Sequence, residues 1–170
     1  LGLLKPEEGK ILINKSKETF NFNLLTKFIG YVPQDIYLAD CSIAENIAFG
    51  EDESKIDIER IKKTLKLSQL NEFINSNDDD IFSKVGDRGV RISGGQKQRI
   101  GIARALYRNP KILIMDESTN SLDSFTEENF IKDVKNISKE MIVLFITHRT
   151  STLRFCDKIY KLENCKIIEK

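Results

Sequence analysis

The sequence has no tryptophan, a single histidine and only three cysteines in 170 residues. Cys41, Cys156 and Cys165 are odd in number and show no CxxC spacing. Neither a cysteine metal site nor a disulfide framework is indicated, and we expect reduced thiols. An excess of either charge is also absent, because 27 Lys and Arg stand against 26 Asp and Glu. Proteins that bind nucleic acids usually carry a basic excess, so we expect no nucleic-acid partner.

Long apolar runs are missing as well. The longest, residues 112–115 and 141–146, have the length of strands, whereas a membrane-crossing helix needs about 20 apolar residues. No signal peptide is visible, and the start at Leu1 instead of a methionine suggests a fragment of a longer protein. What is present is the composition of a globular domain, with 40% hydrophobic and 31% charged residues.

The order of the apolar patterns predicts an α/β fold. Strands are predicted at residues 28–32, 112–115 and 141–147. Helices are predicted at residues 42–49, 56–75 with a break near Ser68, 93–108 and 124–138. The second and third strands are apolar almost throughout, which is typical of parallel strands that are buried on both faces. With the helix between them they form a right-handed βαβ unit.

The remaining segments complete this organisation. The ends of the chain predict the end of a helix at residues 1–4, an edge strand at 10–14, and a hairpin of residues 158–162 and 166–168 that turns at Glu163 and Asn164. We expect an α/β core made of residues 1–41 and 92–170, into which residues 42–91 are inserted as a helical subdomain.

Two acidic residues, Asp116 and Glu117, follow directly after the second predicted strand. Ligands of open α/β sheets bind outside the carboxyl ends of the strands, so both carboxylates are predicted to face a crevice. Asp116 is suited to hold Mg²⁺, which prefers oxygen ligands, and Glu117 could polarise a water molecule toward a phosphorus atom. By itself the pattern fits a strand that runs into an acidic turn equally well.

A glycine pair opens the helix that is predicted from residue 93, in the order Ser93, Gly94, Gly95 and Gln96. Unpaired N–H groups and the positive end of the helix dipole favour anions there, and glycine allows a phosphate to approach the backbone closely. The alternative is a plain capping box between the serine and the glutamine, although such a box does not need two glycines.

Three further polar residues stand at the ends of predicted elements. His148, the only histidine, follows the third strand, and its neutral imidazole could donate a hydrogen bond to a phosphate oxygen. Gln34 follows the first strand and could bind Mg²⁺ or hold a water molecule, but alone this signal is weak because a glutamine after proline is usually a loop residue. Asp123 could cap the helix that starts at Ser124.

Five motifs in this order resemble the nucleotide-binding domain of ABC transporters. They are YVPQD, ISGGQKQRIGIARAL, ILIMDE, SLD and ITHR, which are similar to the Q-loop, signature, Walker B, D-loop and H-loop of that family. The resemblance covers essentially the whole chain and implies a P-loop NTPase fold, a RecA-like parallel sheet with an inserted helical subdomain. Residues 40–50 and 85–89 resemble the exporter branch, which moves lipids, glycans, peptides or drugs.

The resemblance also implies a mechanism that uses ATP and Mg²⁺. Gln34 and Asp116 would attend Mg²⁺, Glu117 would be the general base, and His148 would contact the terminal phosphate. Two such domains would face each other head to tail, so that residues 93–96 (Ser93, Gly94, Gly95 and Gln96) cover the nucleotide of the partner, with Asp123 acting across the interface. Transmembrane domains would hold the domain at the cytoplasmic face of the cell membrane.

Two elements of the family pattern are missing from the sequence. No GxxGxGKST loop is present, and neither is the aromatic residue that would stack on adenine. The lysine and the backbone N–H groups that cradle phosphates in this family are therefore lacking. We expect that the 170-residue chain on its own binds ATP poorly and does not turn it over.

Two alternatives differ in class from a transporter ATPase. A chromosome-maintenance ATPase shares the signature motif, but it would have a long coiled coil ahead of residue 93 and would act on DNA. A truncated ABC module that only dimerises or regulates would explain the missing loop. The presence of Asp116, Glu117 and His148 favours hydrolysis by the parent protein.

Overall fold

The computed structural model describes residues 7–9, 25–70, 81–118, 124–137 and 141–170. Several predictions fall on other parts of the chain. The helix end at residues 1–4, the strand at 10–14, the last turn of the helix at 71–75 and the position of Asp123 lie outside the described residues.

In the described part of the chain, three parallel strands form a sheet on which the helices pack. The strands are β1 (Ile29–Val32), β2 (Ile112–Asp116) and β3 (Ile142–Ile146), and they are arranged in this order. Val32 lies opposite Met115 in the register of the first pair, and Asp116 lies opposite Ile146 in that of the second. β1 is followed by Pro33, which has no N–H group to continue a ladder. All three predicted strands and their parallel direction are confirmed.

Among the described residues, five α-helices accompany the strands. They are α1 (Ile43–Ile47), α2 (Ile58–Leu67), α3 (Gly94–Tyr107), α4 (Ser124–Ile137) and α5 (Thr150–Leu153). Side-chain caps explain where α1 and α2 start, since Ser42 accepts a hydrogen bond from the Glu45 N–H group and Asp57 accepts one from the Arg60 N–H group. α2 ends before Ser68, where the break in the helical pattern was predicted.

One face of the sheet is covered by the hydrophobic core. Val32, Leu113 and Met115 are buried on this face and belong to the same cluster as the apolar residues of the four longer helices. Gly30 allows α3 to come close to β1, because an added Cβ atom would lie 3.0 Å from the carbonyl oxygen of Ala105. α1 and α2 in turn pack against α3.

The opposite face of the sheet is exposed, which corrects one prediction. Ile142, Leu144 and Ile146 of β3 are 68%, 49% and 47% exposed, and Tyr31 of β1 is 39% exposed on the same face. The prediction that residues 141–147 are buried on both faces is therefore wrong for the described structure. Continuous apolar sequence makes burial of both faces favourable, but no described helix or loop lies over this one.

The chain ends in an antiparallel hairpin of β4 (Tyr160–Glu163) and β5 (Lys166–Glu169). The predicted hairpin is confirmed, but its turn lies one residue later, at Asn164 and Cys165. Both have positive φ angles, 49° and 58°, which is the backbone that a two-residue type I′ turn requires. Asparagine adopts this conformation more readily than most residues, whereas cysteine does so only at a cost.

Candidate functional site

The polar residues that were predicted from strand ends lie at one edge of the sheet. Asp116 is the last residue of β2, Gln34 follows β1 by two residues, and His148 follows β3 by two residues. Because the three strands are parallel, their carboxyl ends meet at the same edge. Gln34 is exposed there, while Asp116 and Glu117 are partly buried.

Glu117 and His148 contact each other directly at this edge. The Nε2 atom of His148 lies 3.0 Å from Oε1 of Glu117, within hydrogen-bonding distance of the carboxylate. The side chain of Glu117 is 21% exposed and that of His148 is 90% exposed. A polar contact at such an exposed position adds little to stability, and its importance is the geometry of the two groups.

The backbone of Glu117 has an unusual conformation. Its φ angle is 46°, in the left-handed region that costs a residue with a Cβ atom about 1–2 kcal/mol. The Glu117 N–H group donates to the carbonyl oxygen of Ile146 at 2.9 Å, which extends the pairing of β2 and β3 by one residue. Backbone strain that is held in place by its surroundings is typical of functional sites.

Asp116 has a hydrogen-bond partner that sequence reasoning missed. The hydroxyl of Tyr31 donates to Oδ2 of Asp116 at 3.1 Å. Burial, followed by the hydrogen bond and the negative charge of Asp116, raises the pKa of Tyr31 above its ordinary value, so the hydroxyl stays protonated and remains a donor. Tyr31 is paired with Ile114 in the sheet, and only this register shows that it shares a face with Asp116.

The oxygen donors at this edge fit a magnesium ion. Mg²⁺ is usually held by one or two carboxylates and keeps several water molecules and phosphate oxygens as its other ligands. Asp116 supplies a partly exposed carboxylate, and Gln34 supplies an exposed amide oxygen at the same edge. Within the described residues there is no group of three or more His, Cys, Asp or Glu side chains that could form a complete protein cage.

The tip of α3 carries the predicted glycine pair. Oγ of Ser93 accepts from the N–H group of Gln96 at 3.3 Å, and Oε1 of Gln96 accepts from the N–H group of Ser93 at 2.9 Å. The capping box that was weighed as the alternative is therefore present. Ser93 and Gly94 are nevertheless exposed, so the tip remains accessible to a ligand or to another molecule.

A buried carboxylate on α4 was also missed. Glu127 is 1% exposed and contacts three residues that follow His148, namely Arg149, Ser151 and Thr152. The sequence does contain a signal for it, because Glu127 lies on the apolar stripe of α4 that continues with Phe130, Ile131 and Val134.

Comparison with known proteins identifies the family. The family model described as ABC transporter matches residues 1–120. The chain belongs to the ABC transporter family. ABC transporter B family member 6 of Dictyostelium discoideum is 40% identical over 165 residues, which are 96% of this chain and 24% of that protein. The heterocyst differentiation ATP-binding protein HepA of a Nostoc species is 39% identical over 166 residues, 97% of this chain and 27% of that protein.

A solved ABC structure supports the same assignment. The bacterial Atm1-family ABC exporter with ATP bound has a TM-score of 0.84 and 34% sequence identity, over 96% of this chain and 28% of that one. The predicted P-loop NTPase type of α/β fold and the exporter-type ABC domain are confirmed. This ABC chain spans less than a third of the length of the relatives named here. No helix in its described part is both long and apolar enough to cross a membrane.

Proposed function

We propose that this ATP-binding domain of an ABC exporter hydrolyses ATP with Glu117 as its general base. The observation that carries the proposal is the contact of Glu117 with His148, 3.0 Å apart, at the strand edge where Asp116 also lies. Glu117 would take a proton from the attacking water molecule, as a positioned carboxylate does in general base catalysis. The imidazole of His148 would orient this carboxylate and contact a terminal phosphate oxygen.

The metal-binding residues follow from the same edge. Asp116 and Gln34 would hold Mg²⁺, which when bound neutralises negative charge on the phosphates. Tyr31 donates to Oδ2 of Asp116 and would keep the carboxylate in one orientation. For the chain on its own we propose weak ATP binding and no turnover, because its sequence contains no GxxGxGKST loop.

Other residues would act between domains. We assign Ser93, Gly94, Gly95 and Gln96 to the nucleotide held by a second ABC domain in a head-to-tail dimer, because the tip of α3 is exposed. We also assign Asp123 to this dimer interface. Residues 42–91 would form a helical subdomain that, together with the segment after Gln34, contacts transmembrane domains at the cytoplasmic face of a cell membrane.

The variant Glu117→Gln in the intact protein tests the assignment of the base. Gln keeps the size of the side chain but cannot take a proton, so turnover should fall by about 100-fold or more while ATP still binds. ATP hydrolysis and nucleotide binding are measured on the same preparation. Glu59→Gln on α2, whose exposed carboxylate pairs with Lys62, serves as the control. Turnover of Glu117→Gln within twofold of the wild type would remove Glu117 from this role.

A further inference from the structure

The turn that carries His148 is attached to α4 by a buried carboxylate. Oε2 of Glu127 lies 2.9 Å from Nη1 of Arg149 and accepts from Oγ of Ser151 at 3.2 Å. Oε1 of the same side chain accepts from Oγ1 of Thr152 at 3.1 Å. Three side chains that follow His148 within four residues therefore converge on the two oxygens of Glu127.

Because the Glu127 carboxylate is buried, its three hydrogen-bond and charge partners are held firmly in position. The side chain of Glu127 is 2% exposed and that of Arg149 is 30% exposed, and Thr152 is 0% exposed. A buried carboxylate that loses its hydrogen-bond donors is strongly disfavoured, because its charge is then neither solvated nor paired. The three donors are thus held close to Glu127, which fixes the path of the backbone from Arg149 to Thr152.

Beside its contact with Glu117, the side chain of His148 is held by little packing. Its side chain is 90% exposed, so packing does not define its orientation. On one side of it, Oγ1 of Thr147 accepts from the N–H group of Arg149 at 3.0 Å, and on the other side Arg149 is bound to Glu127. The direction of the imidazole is consequently set by the backbone of the turn.

We propose that Glu127 is a positioning residue for His148. By binding Arg149, Ser151 and Thr152 it holds the turn so that Nε2 of His148 meets Oε1 of Glu117. Glu127 touches neither the nucleotide nor Glu117 in this proposal and acts only through the histidine. An effect of Glu127 on turnover rests on the proposed roles of Glu117 and His148. The claim that Glu127 holds the turn does not depend on those roles.

A double-mutant cycle in the intact protein separates this role from a general effect on folding. Glu127→Gln keeps the shape of the side chain and removes the charge that binds Arg149, and a displaced active-site group of this kind lowers kcat by about 10- to 100-fold. KM for ATP should change by less than about twofold, since the loss falls on turnover. In a His148→Ala background the same substitution should cause no further loss of kcat, because residues that act as a unit are not additive. Equal losses in both backgrounds would overturn the proposal.

The matched control is the neighbouring carboxylate. Glu128 follows Glu127 in α4 and pairs with Lys132 at 3.0 Å at the helix surface, with 45% of its side chain exposed. Glu128→Gln makes the same chemical change without touching the residues after His148, and its kcat should stay within about twofold of the wild type. A loss of kcat in Glu128→Gln as large as that in Glu127→Gln would overturn the specific role of Glu127.

Hydrogen exchange of the intact protein provides a readout that does not depend on turnover. Glu127→Gln should speed amide exchange in peptides covering residues 148–153 by about tenfold or more relative to Glu128→Gln, since local opening governs exchange. If Glu127→Gln does not fold, Thr152→Val removes a single hydrogen bond to Glu127 and should act in the same direction. Unchanged exchange in the folded variant overturns the inference.

If His148→Ala leaves kcat unchanged, the proposed function of His148 fails, and exchange alone decides whether Glu127 holds the turn.

Discussion

The hydroxyl of Tyr31 is a single group whose removal tests the metal-binding edge. It donates to Oδ2 of Asp116 at 3.1 Å, and Tyr31→Phe leaves the ring in place. A hydrogen bond to a charged group contributes roughly 1 kcal/mol at a partly exposed site. The Mg²⁺ concentration that supports half-maximal ATP hydrolysis should therefore rise by about threefold to tenfold. Tyr37→Phe, an exposed aromatic residue after β1, is the control, and an unchanged Mg²⁺ requirement in Tyr31→Phe would contradict the prediction.

At the scale of residues, the sequence predicted the groups that stand at strand ends. Asp116, Glu117 and His148 were found because a strand end has a known place in a parallel sheet. Tyr31 and Glu127 were missed because their partners lie 85 and 22 or more residues away. Such contacts depend on the register of two strands and on the docking of α4 against α5, which local patterns do not contain.

Among the elements, the start of α1 gives the fold a response to acid. Oε2 of Glu45 accepts from Oγ and from the N–H group of Ser42 at 2.6 and 2.8 Å. The side-chain hydrogen bond first, and then the backbone one, lower the pKa of Glu45 below its ordinary value of 4.5. Its contribution to stability is therefore present above about pH 4.5 and is lost as the pH falls through the lowered pKa.

Glu45→Gln should weaken this acid response. The amide keeps one oxygen that can accept a hydrogen bond but does not titrate, so the urea midpoint should fall less between pH 7 and pH 3 than it does in the wild type. Unfolding at both pH values is followed by circular dichroism. Glu53→Gln in the exposed turn before α2 is the control, and an acid sensitivity of Glu45→Gln equal to that of the wild type would refute this prediction.

The elements themselves were predicted well in type and less well in their limits. The helices predicted from residues 42 and 93 start correctly, and Ser42 and Ser93 cap them, which is local chemistry. The helix predicted from residue 56 begins two residues later, after Asp57 caps it. For β3 the apolar sequence indicated a strand covered on both faces. The sequence of a strand does not show which other elements pack against each of its faces.

On the scale of the whole molecule, the uncovered face of the sheet should make the separate chain associate. Ile142, Leu144 and Ile146 are all about half exposed or more and lie beside Tyr31 and Ile114 on one surface. Contiguous apolar patches of this kind promote binding and aggregation. The isolated chain should therefore bind the dye ANS and self-associate, and Leu144→Thr should reduce both, as measured by fluorescence and by sedimentation.

A control for this prediction uses an exposed apolar residue elsewhere. Phe125 on α4 is 76% exposed, and single apolar residues on a surface have little effect. Phe125→Ser should leave dye binding and sedimentation nearly unchanged. If it reduces both as strongly as Leu144→Thr does, the sheet face is not the surface that causes association.

The assignment of the whole domain came from the order of motifs more than from any one of them. A glycine pair at a helix start or two acids after a strand has a simple structural explanation, and the capping box of Ser93 and Gln96 is indeed present. The five motifs in sequence identify the ABC family, and the family match confirms this. The contacts between α4 and the turn of His148 could not be predicted from the sequence, because they depend on the packing of two helices.

The left-handed backbone at Glu117 means that folding and chemistry favour different amino acids at one position. Glycine would adopt a φ angle of 46° without the steric penalty that glutamate incurs. A variant optimised only for thermal robustness would gain from glycine there, and it would lose the carboxylate at the same time. Glutamate is therefore the more strained choice for this backbone. Some stability is given up to keep the carboxylate of the proposed general base at this position.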